Sequence, residues 1–251
     1  MANSIEKLTD ILVDSKNIVF LTGAGMSVAA GLPTFRGTSG LWNTSESMRW
    51  AHRESYDNNP TEWFVGFWRY YEKRQVLAPS IAHHALSGIV GKLGADVVTQ
   101  NIDGFDLEAG VPPTKLYEIH GNDRHLYCTG CDYSVCTREW ILNNPEQELP
   151  KCPNQHPLKP SILLFGKDSV PGLDLVREMA YARITEADTL IAVGTSLEIP
   201  YVADLALDFS DAKERLVIIN PERTIADAAA QIVVRETAEL ALTNLHKNLE
   251  L

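Results

Sequence analysis

Apolar positions recur along this chain at two spacings. Residues 4–14 set Ile5, Leu8, Ile11 and Leu12 at helical spacing and predict an amphipathic helix that opens the fold. Asn17–Leu21 follows as a short apolar run that stops at Thr22-Gly23. Similar runs recur at Asp96–Thr99, Thr189–Val193, Leu216–Ile219 and Ile232–Val234. Each is too short for a helix and rich in β-branched residues, as strands buried on both faces are. The intervening segments read as helices, among them Leu173–Ala187 and Tyr201–Phe209. Short buried strands alternating with helices predict an α/β fold with a doubly wound parallel sheet.

Two regions break the alternation. Residues 40–78 are crowded with aromatic rings (Trp42, Trp50, Tyr56, Trp63, Phe64, Phe67, Trp68, Tyr70, Tyr71) in helical patterning, which predicts a helical subdomain packing its own aromatic core. Residues 122–160 hold all four cysteines together with Pro150, Pro153, Pro157 and Pro160. So irregular a stretch buries little apolar surface and needs a staple.

Composition narrows the function classes. The 251 residues carry 22 Lys and Arg against 33 Asp and Glu, a net charge of −11. That balance argues against a general nucleic-acid binder, which needs clustered cations for phosphate. No apolar run reaches the roughly 18–20 residues of a membrane span, and the N-terminal residues show no secretory h-region. The expectation is a soluble cytoplasmic protein. Four cysteines are too few for a disulfide scaffold.

Polar turns follow the strands. The first is Gly23-Ala24-Gly25-Met26-Ser27, then Val28-Ala29-Ala30-Gly31. A glycine-rich turn between a strand and a helix lets backbone N–H groups approach a phosphate, although a plain tight turn has the same composition. Gly25 and Gly31 are too far apart for the dehydrogenase fingerprint, and no acidic residue ends a strand about twenty residues on, which disfavours hydride transfer. The second turn is Thr99-Gln100-Asn101-Ile102-Asp103-Gly104, a ligand edge or a helix cap. Gly194-Thr195-Ser196 and Asn220 end two later strands. Four such turns on one edge favour a polar dinucleotide site over four unrelated caps. His120-Gly121 stands where that edge meets the cysteine-rich insert.

In this order the motifs closely resemble those of the sirtuins, NAD-dependent protein deacylases. The family's G-A-G-x-S and G-I-P-x-F-R are matched by Gly23–Ser27 and Gly31-Leu32-Pro33-Thr34-Phe35-Arg36. Its T-Q-N-I-D and H-G are matched by Thr99–Asp103 and His120-Gly121. Its F-G, G-T-S-L and late Asn are matched by Phe165-Gly166, Gly194-Thr195-Ser196-Leu197 and Asn220. The ordered matches run from residue 18 to residue 220.

The resemblance implies a Rossmann-like NAD-binding domain (1–39, 80–121 and 161–251). The helical insert 40–79 and the zinc-binding insert 122–160 would form a small second domain. It implies that NAD is a co-substrate and that nicotinamide leaves from its ribose. The acyl group of a protein lysine would then pass to ADP-ribose, with His120 as base. Asn101 and Asp103 match the nicotinamide pocket and Phe35 and Arg36 a mobile shielding loop. Ala24, Thr195, Ser196 and Asn220 match positions lining the phosphates and adenine ribose. Gly23, Gly25, Ser27, Gln100, Ile102 and Gly194 complete the implied cofactor set, and Ile162, Leu163, Leu164, Phe165 and Gly166 the acyl-lysine peptide strand. The implied partners are NAD and an acyl-lysine protein or peptide, with neither membrane nor nucleic acid.

Cys128-x₂-Cys131 and Cys152 match three ligands of the family's structural zinc. Gln155 takes the place of the fourth, which leaves His156 or Cys136 as candidates beside the alternatives of no metal and of a redox disulfide. Other departures bear on substrate. Thr34 is shared with the subgroup that removes acidic acyl groups, whose Tyr-x-x-Arg pair has only Tyr71-x-x-Arg74 as a counterpart, several residues late. Asp106, Lys167, Pro200 and Tyr201 differ from the pattern near the expected peptide path. Two further readings stand beside deacylation: transfer of ADP-ribose to protein or water, and an NAD-binding module without turnover.

Overall fold

The computed structural model describes residues 4–32, 51–144, 148–213 and 215–250. Five apolar runs and a short sixth segment build one parallel sheet. Its strands are Ile18–Thr22 (β1), Asp96–Thr99 (β2), Leu116–Glu118 (β3), Thr189–Val193 (β7), Leu216–Ile219 (β8) and Ile232–Val234 (β9), in the spatial order β3-β2-β1-β7-β8-β9. Chain order reverses between β1 and β7, the switch point where a doubly wound sheet opens a crevice beyond its strand ends. β1, β7 and β8 are buried at every position, which explains their continuous apolar character.

Helices cover both faces. On one side Ser4–Asp14 (α1), Ile81–Leu93 (α4) and Ala238–Asn248 (α9) pack Leu8, Leu12, Leu86, Ile89, Leu242 and Leu245 onto the sheet. On the other, Leu173–Glu186 (α7) and Pro200–Lys213 (α8) bring Ala180, Ile184, Val202, Ala206 and Phe209. Local chemistry sets the ends. Ser80 and His83 form a reciprocal capping box at the start of α4, which stops at the left-handed Gly94. The expected helix after Gly25 is instead a single 3-10 turn, Ala24–Met26, followed by turns to Gly31. Val28 and Ala29 are exposed there, and of the turn only Met26 joins the core.

A second sheet of three antiparallel strands, in the order β5-β4-β6, stands apart from the first. It is made of Gly121–Cys128 (β4), Ser134–Cys136 (β5) and Leu158–Ile162 (β6), and Thr137–Asn143 (α6) follows β5. Arg53–Asn58 (α2) and Pro60–Gln75 (α3) pack on it. Asn59 caps α3 by accepting from the Glu62 N–H, with Pro60 in the first turn. The aromatic core is not the helices' own. Trp63, Phe64, Phe67, Trp68 and Tyr71 meet Leu126, Cys128, Trp140, Cys152, Leu158 and Ile162 in one cluster, and Trp68 stacks on Trp140 at 5.4 Å. The two inserts share a core because neither has an apolar face on both sides. Trp42 and Trp50 lie outside the described residues.

Candidate functional site

Strand register brings the polar turns together. Thr22 pairs with Thr99 and Val193, Thr99 with Glu118, and Val193 with Ile219. The next residue on each strand is therefore Gly23, Gln100, Ile119, Gly194 or Asn220, one row along the edge at the switch point, and His120 follows Ile119. The glycines are required by contact between two turns. A Cβ on Gly25 would lie 2.6 Å from the Gly194 Cα, and one on Gly23 2.8 Å from the Thr195 Cβ. Gly194, at φ +61, also accepts at its carbonyl from the Gly25 N–H at 2.8 Å. No side chain caps the Ala24–Met26 turn; its Gly25 and Met26 N–H groups donate instead to the Gly194 and Gly23 carbonyls.

The side chains along this row are held by one another. The Gln100 amide donates to the Thr22 carbonyl (3.1 Å) and to the Thr195 hydroxyl (2.9 Å). Asn101, buried, donates to the Gly23 carbonyl at 3.0 Å, and Asn220 to the Thr195 carbonyl at 2.8 Å. Ser196 and Ile102 are half-buried beside them. Phe35 and Arg36 lie outside the described residues.

Asp103 is buried and fully engaged. It accepts from the Ser27 hydroxyl at 2.7 Å and from the Phe105 N–H at 3.0 Å. Burial raises its pKa above the usual carboxylate value, against those two donors and Arg74. Behind Ser27 stands His83, whose Nδ1 accepts from the Ser80 N–H at 3.1 Å. The hydrogen therefore sits on Nε2, 3.5 Å from the Ser27 oxygen. Burial, and then His84, push His83 down to about 4, so the ring is neutral. Sequence reasoning missed His83; its only signal was the Ser-x-x-His capping spacing.

His120 is partly exposed at the same edge. Its Nδ1 lies 2.8 Å from the Gln100 carbonyl, which can only accept. Nδ1 therefore carries the hydrogen and Nε2 keeps its lone pair, the tautomer of a proton acceptor. Burial lowers its pKa to about 4, aided by Arg177 and opposed by the Gln100 bond, so the ring is uncharged at neutral pH.

The segment after β6 passes close to this base: the Leu163 N–H donates to the His120 carbonyl at 2.9 Å. Phe165 pairs with residues 51–53 through Phe165 N–H to Ala51 O (2.7 Å) and Arg53 N–H to Phe165 O (2.9 Å). Beneath it lies an ion cluster the sequence did not signal. The buried Lys159 ammonium donates to Asp168 (2.6 Å) and to the Ile162 carbonyl (2.7 Å). Asp168 also accepts from Arg53 (2.7 Å) and from the Leu164 N–H (2.8 Å). Gly166 and Lys167 are exposed.

Arg74 is not free to meet an acidic substrate. Buried in α3, it donates to the Asp103 carbonyl at 2.6 Å and to Glu108, while Tyr70 donates to Asp123 at 3.2 Å. Asp106 does not line a peptide path either. It is buried, with one carboxylate oxygen unpartnered, and burial together with Asp103 raises it to about 7, against a bond to Thr99.

Cys128, Cys131, Cys152 and His156 converge, their donor atoms all within 4.8 Å of one another. Cys128 Sγ lies 3.8 Å from His156 Nδ1 and Cys131 Sγ 3.9 Å from Cys152 Sγ. Two thiolates on tetrahedral zinc stand about 3.8 Å apart, so the donor set fits that ion. Gln155 takes the left-handed turn position at φ +64, which hands the fourth place to His156. Cys136 is exposed, pairs across the strands with His125 and is not in the group.

Comparison with known proteins agrees with this geometry. The family model described as "Sir2 family" matches residues 23–200. The NAD-dependent protein deacetylase of Sulfurisphaera tokodaii is 34% identical over 242 residues, covering 93% of this chain and 91% of that protein. A solved Sir2 homolog–NAD complex superposes with a TM-score of 0.85 at 29% identity, covering 98% of this chain and 93% of the other. A Sir2 variant with a deacetylated p53 peptide and 3'-O-acetyl ADP ribose gives 0.86 at 26% identity, covering 97% and 98%. The chain belongs to the Sir2 family.

Proposed function

We propose that this chain removes acyl groups, acetyl in the simplest case, from protein lysines at the expense of NAD, giving nicotinamide, O-acyl-ADP-ribose and free lysine. The observation that carries the reading is the fixed tautomer of His120. A neutral imidazole with its Nε2 lone pair free stands at the edge where five strands deliver their polar turns. NAD, when bound, supplies the ADP-ribosyl group that receives the acyl group. His120 Nε2 takes the ribose hydroxyl proton so that this oxygen can close on the acyl carbon. Asn101 and Asp103 receive the nicotinamide carboxamide, with Ser27 and His83 holding the Asp103 carboxylate in place. Gly23, Ala24, Gly25, Gln100, Ile102, Gly194, Thr195, Ser196 and Asn220 line the phosphates and ribose.

Ile162, Leu163, Leu164, Phe165 and Gly166 form the segment that meets the acyl-lysine peptide, held rigid by Lys159 and Asp168. Because Arg74 is already bound, it is not available to pair with an acidic acyl chain, and a neutral acyl group is preferred. Cys128, Cys131, Cys152 and His156 hold a structural zinc, closed to catalysis. The separate cores support a nucleotide-binding body (1–39, 80–121 and 161–251) and a small domain from 40–79 and 122–160. Among the described residues no helix is long and apolar enough to cross a membrane. Cysteines placed as metal ligands rather than in disulfides suit a reducing cytoplasm. Transfer of ADP-ribose to protein or water has no observation in its favour.

Mass spectrometry of acyl-lysine peptides incubated with NAD tests the reading. O-acyl-ADP-ribose is expected from the native chain and is lost in His120→Ala while NAD still binds. Undiminished product from His120→Ala would refute the assignment.

A further inference from the structure

Tyr201, one of the departures from the sirtuin pattern, is not explained by the reaction above. It opens α8, and its ring meets the His120 ring edge-on at 5.8 Å and 77°. The Arg177 guanidinium, from α7, lies over the same tyrosine ring at 4.5 Å from its centre. The Tyr201 hydroxyl is buried with no hydrogen-bond partner among the described residues, so the ring rather than the phenol carries the contact. Arg177 makes no ion pair among the described residues, although Asp204 and Asp208 line the same cavity of about 260 Å³. A carboxylate partner would neutralise its charge; an aromatic face holds the guanidinium and leaves its field intact.

We infer that Tyr201 and Arg177 are positioning residues for His120: the ring fixes the imidazole in its proton-accepting pose, and the guanidinium stacked on that ring holds it there and places a positive charge behind it. The inference rests on the base role proposed above. The groups facing His120 are the Gln100 carbonyl from the turn after β2, Tyr201 from α8 and Arg177 from α7. Among the described residues Arg177 is the one charged group acting on it, and it lowers the imidazole pKa together with burial. Without that charge the imidazolium is tolerated at higher pH, and less free base remains on the acid side.

The test is the pH profile of kcat/KM for deacylation in the native chain and in Arg177→Gln, Arg177→Lys, Tyr201→Phe and Tyr201→Leu. Arg177→Gln is expected to move the acid limb up by about half a pH unit or more, an effect that shrinks as salt screens the charge. Arg177→Lys and Tyr201→Phe, which keep the charge and the ring, restore the native limb. Tyr201→Leu moves the limb and lowers kcat by about tenfold while KM for NAD stays within about twofold. Limbs that coincide in all five proteins, with any loss of rate uniform in pH, would overturn the inference. If Tyr201→Leu does not fold, Arg177→Gln decides alone, since that side chain is partly exposed. Absence of O-acyl-ADP-ribose from the native chain would instead refute the base role itself.

Discussion

Replacing Lys159 by Met tests how the proposed acyl-peptide strand is held. The lysine side chain and the Asp168 carboxylate are both fully buried and meet at 2.6 Å. The ammonium also donates to the Ile162 carbonyl, and Tyr127 lies 5.4 Å beneath it. Burial outweighs these partners at Lys159 and holds its pKa down at about 8. At Asp168, burial is outweighed by Lys159, the Leu164 N–H and Arg53, and the carboxyl stays below its ordinary value. Lys159→Met keeps the side-chain volume but leaves a buried carboxylate with a quarter-exposed Arg53 as its only cation among the described residues, and an orphaned carbonyl. Breaking one side of a buried pair costs about 3–5 kcal/mol, and the remaining Arg53 contact places the expected loss near the lower end. The loss should appear as a lower midpoint in guanidinium unfolding with an unchanged slope. Lys159→Met/Asp168→Asn should recover part of it, because no unpaired charge remains. KM for the acyl peptide should rise while KM for NAD is unmoved. A change under about 1 kcal/mol in the single variant, or strict additivity in the double, would refute the reasoning.

Two further outcomes follow from the same structure. Cys152→Ser should lose bound zinc by metal analysis and melt at lower temperature, since Cys152 is buried in the shared aromatic cluster; a full metal complement in this variant would refute the ligand set. Asp106→Asn should stabilise the chain at pH 8 by about 4 kcal/mol, with the gain fading toward pH 5. The folded carboxyl sits near 7 against an ordinary value of 3.8, so the folded state binds more protons between those values. Its contribution is therefore favourable at low pH and is lost as pH rises through about 7. Thermal melts across that range check the sign, and a gain largest at pH 5 would contradict it.

The parallel sheet was legible because its central strands β1, β7 and β8 are runs buried on both faces, whereas the half-buried edge strand β3 shows no such run; register then aligned Gly23, Gln100, Gly194 and Asn220. The small sheet was not. β4 alternates between buried and open positions but slips register between Gly121 and Leu126, and β6 contains Lys159 and Pro160, which read as polar punctuation. His120 could be singled out by its place in the chain, but its tautomer depends on a backbone carbonyl brought beside it by the fold. The fourth metal ligand was undecided for a related reason, since the choice turns on the φ of Gln155. Lys159 and Asp168 gave no signal at all, because burial of a paired charge leaves no pattern in composition.

The shared aromatic cluster has a consequence for the order in which the chain matures. Its contributors come from residues 56–71 and again from 126–164, on either side of α4, β2 and β3. While the chain is being synthesised, the rings of α3 emerge well before the strands that cover them. They stay uncovered until β6 has been made. Docking of α3, capture of the metal by Cys128, Cys131, Cys152 and His156, and completion of the strand beside His120 thus fall in one late interval. Long sequence separation between partners slows such pairing and leaves apolar surface open to wrong contacts. Chelating metal during refolding is therefore expected to lower the yield of folded chain as well as its final stability.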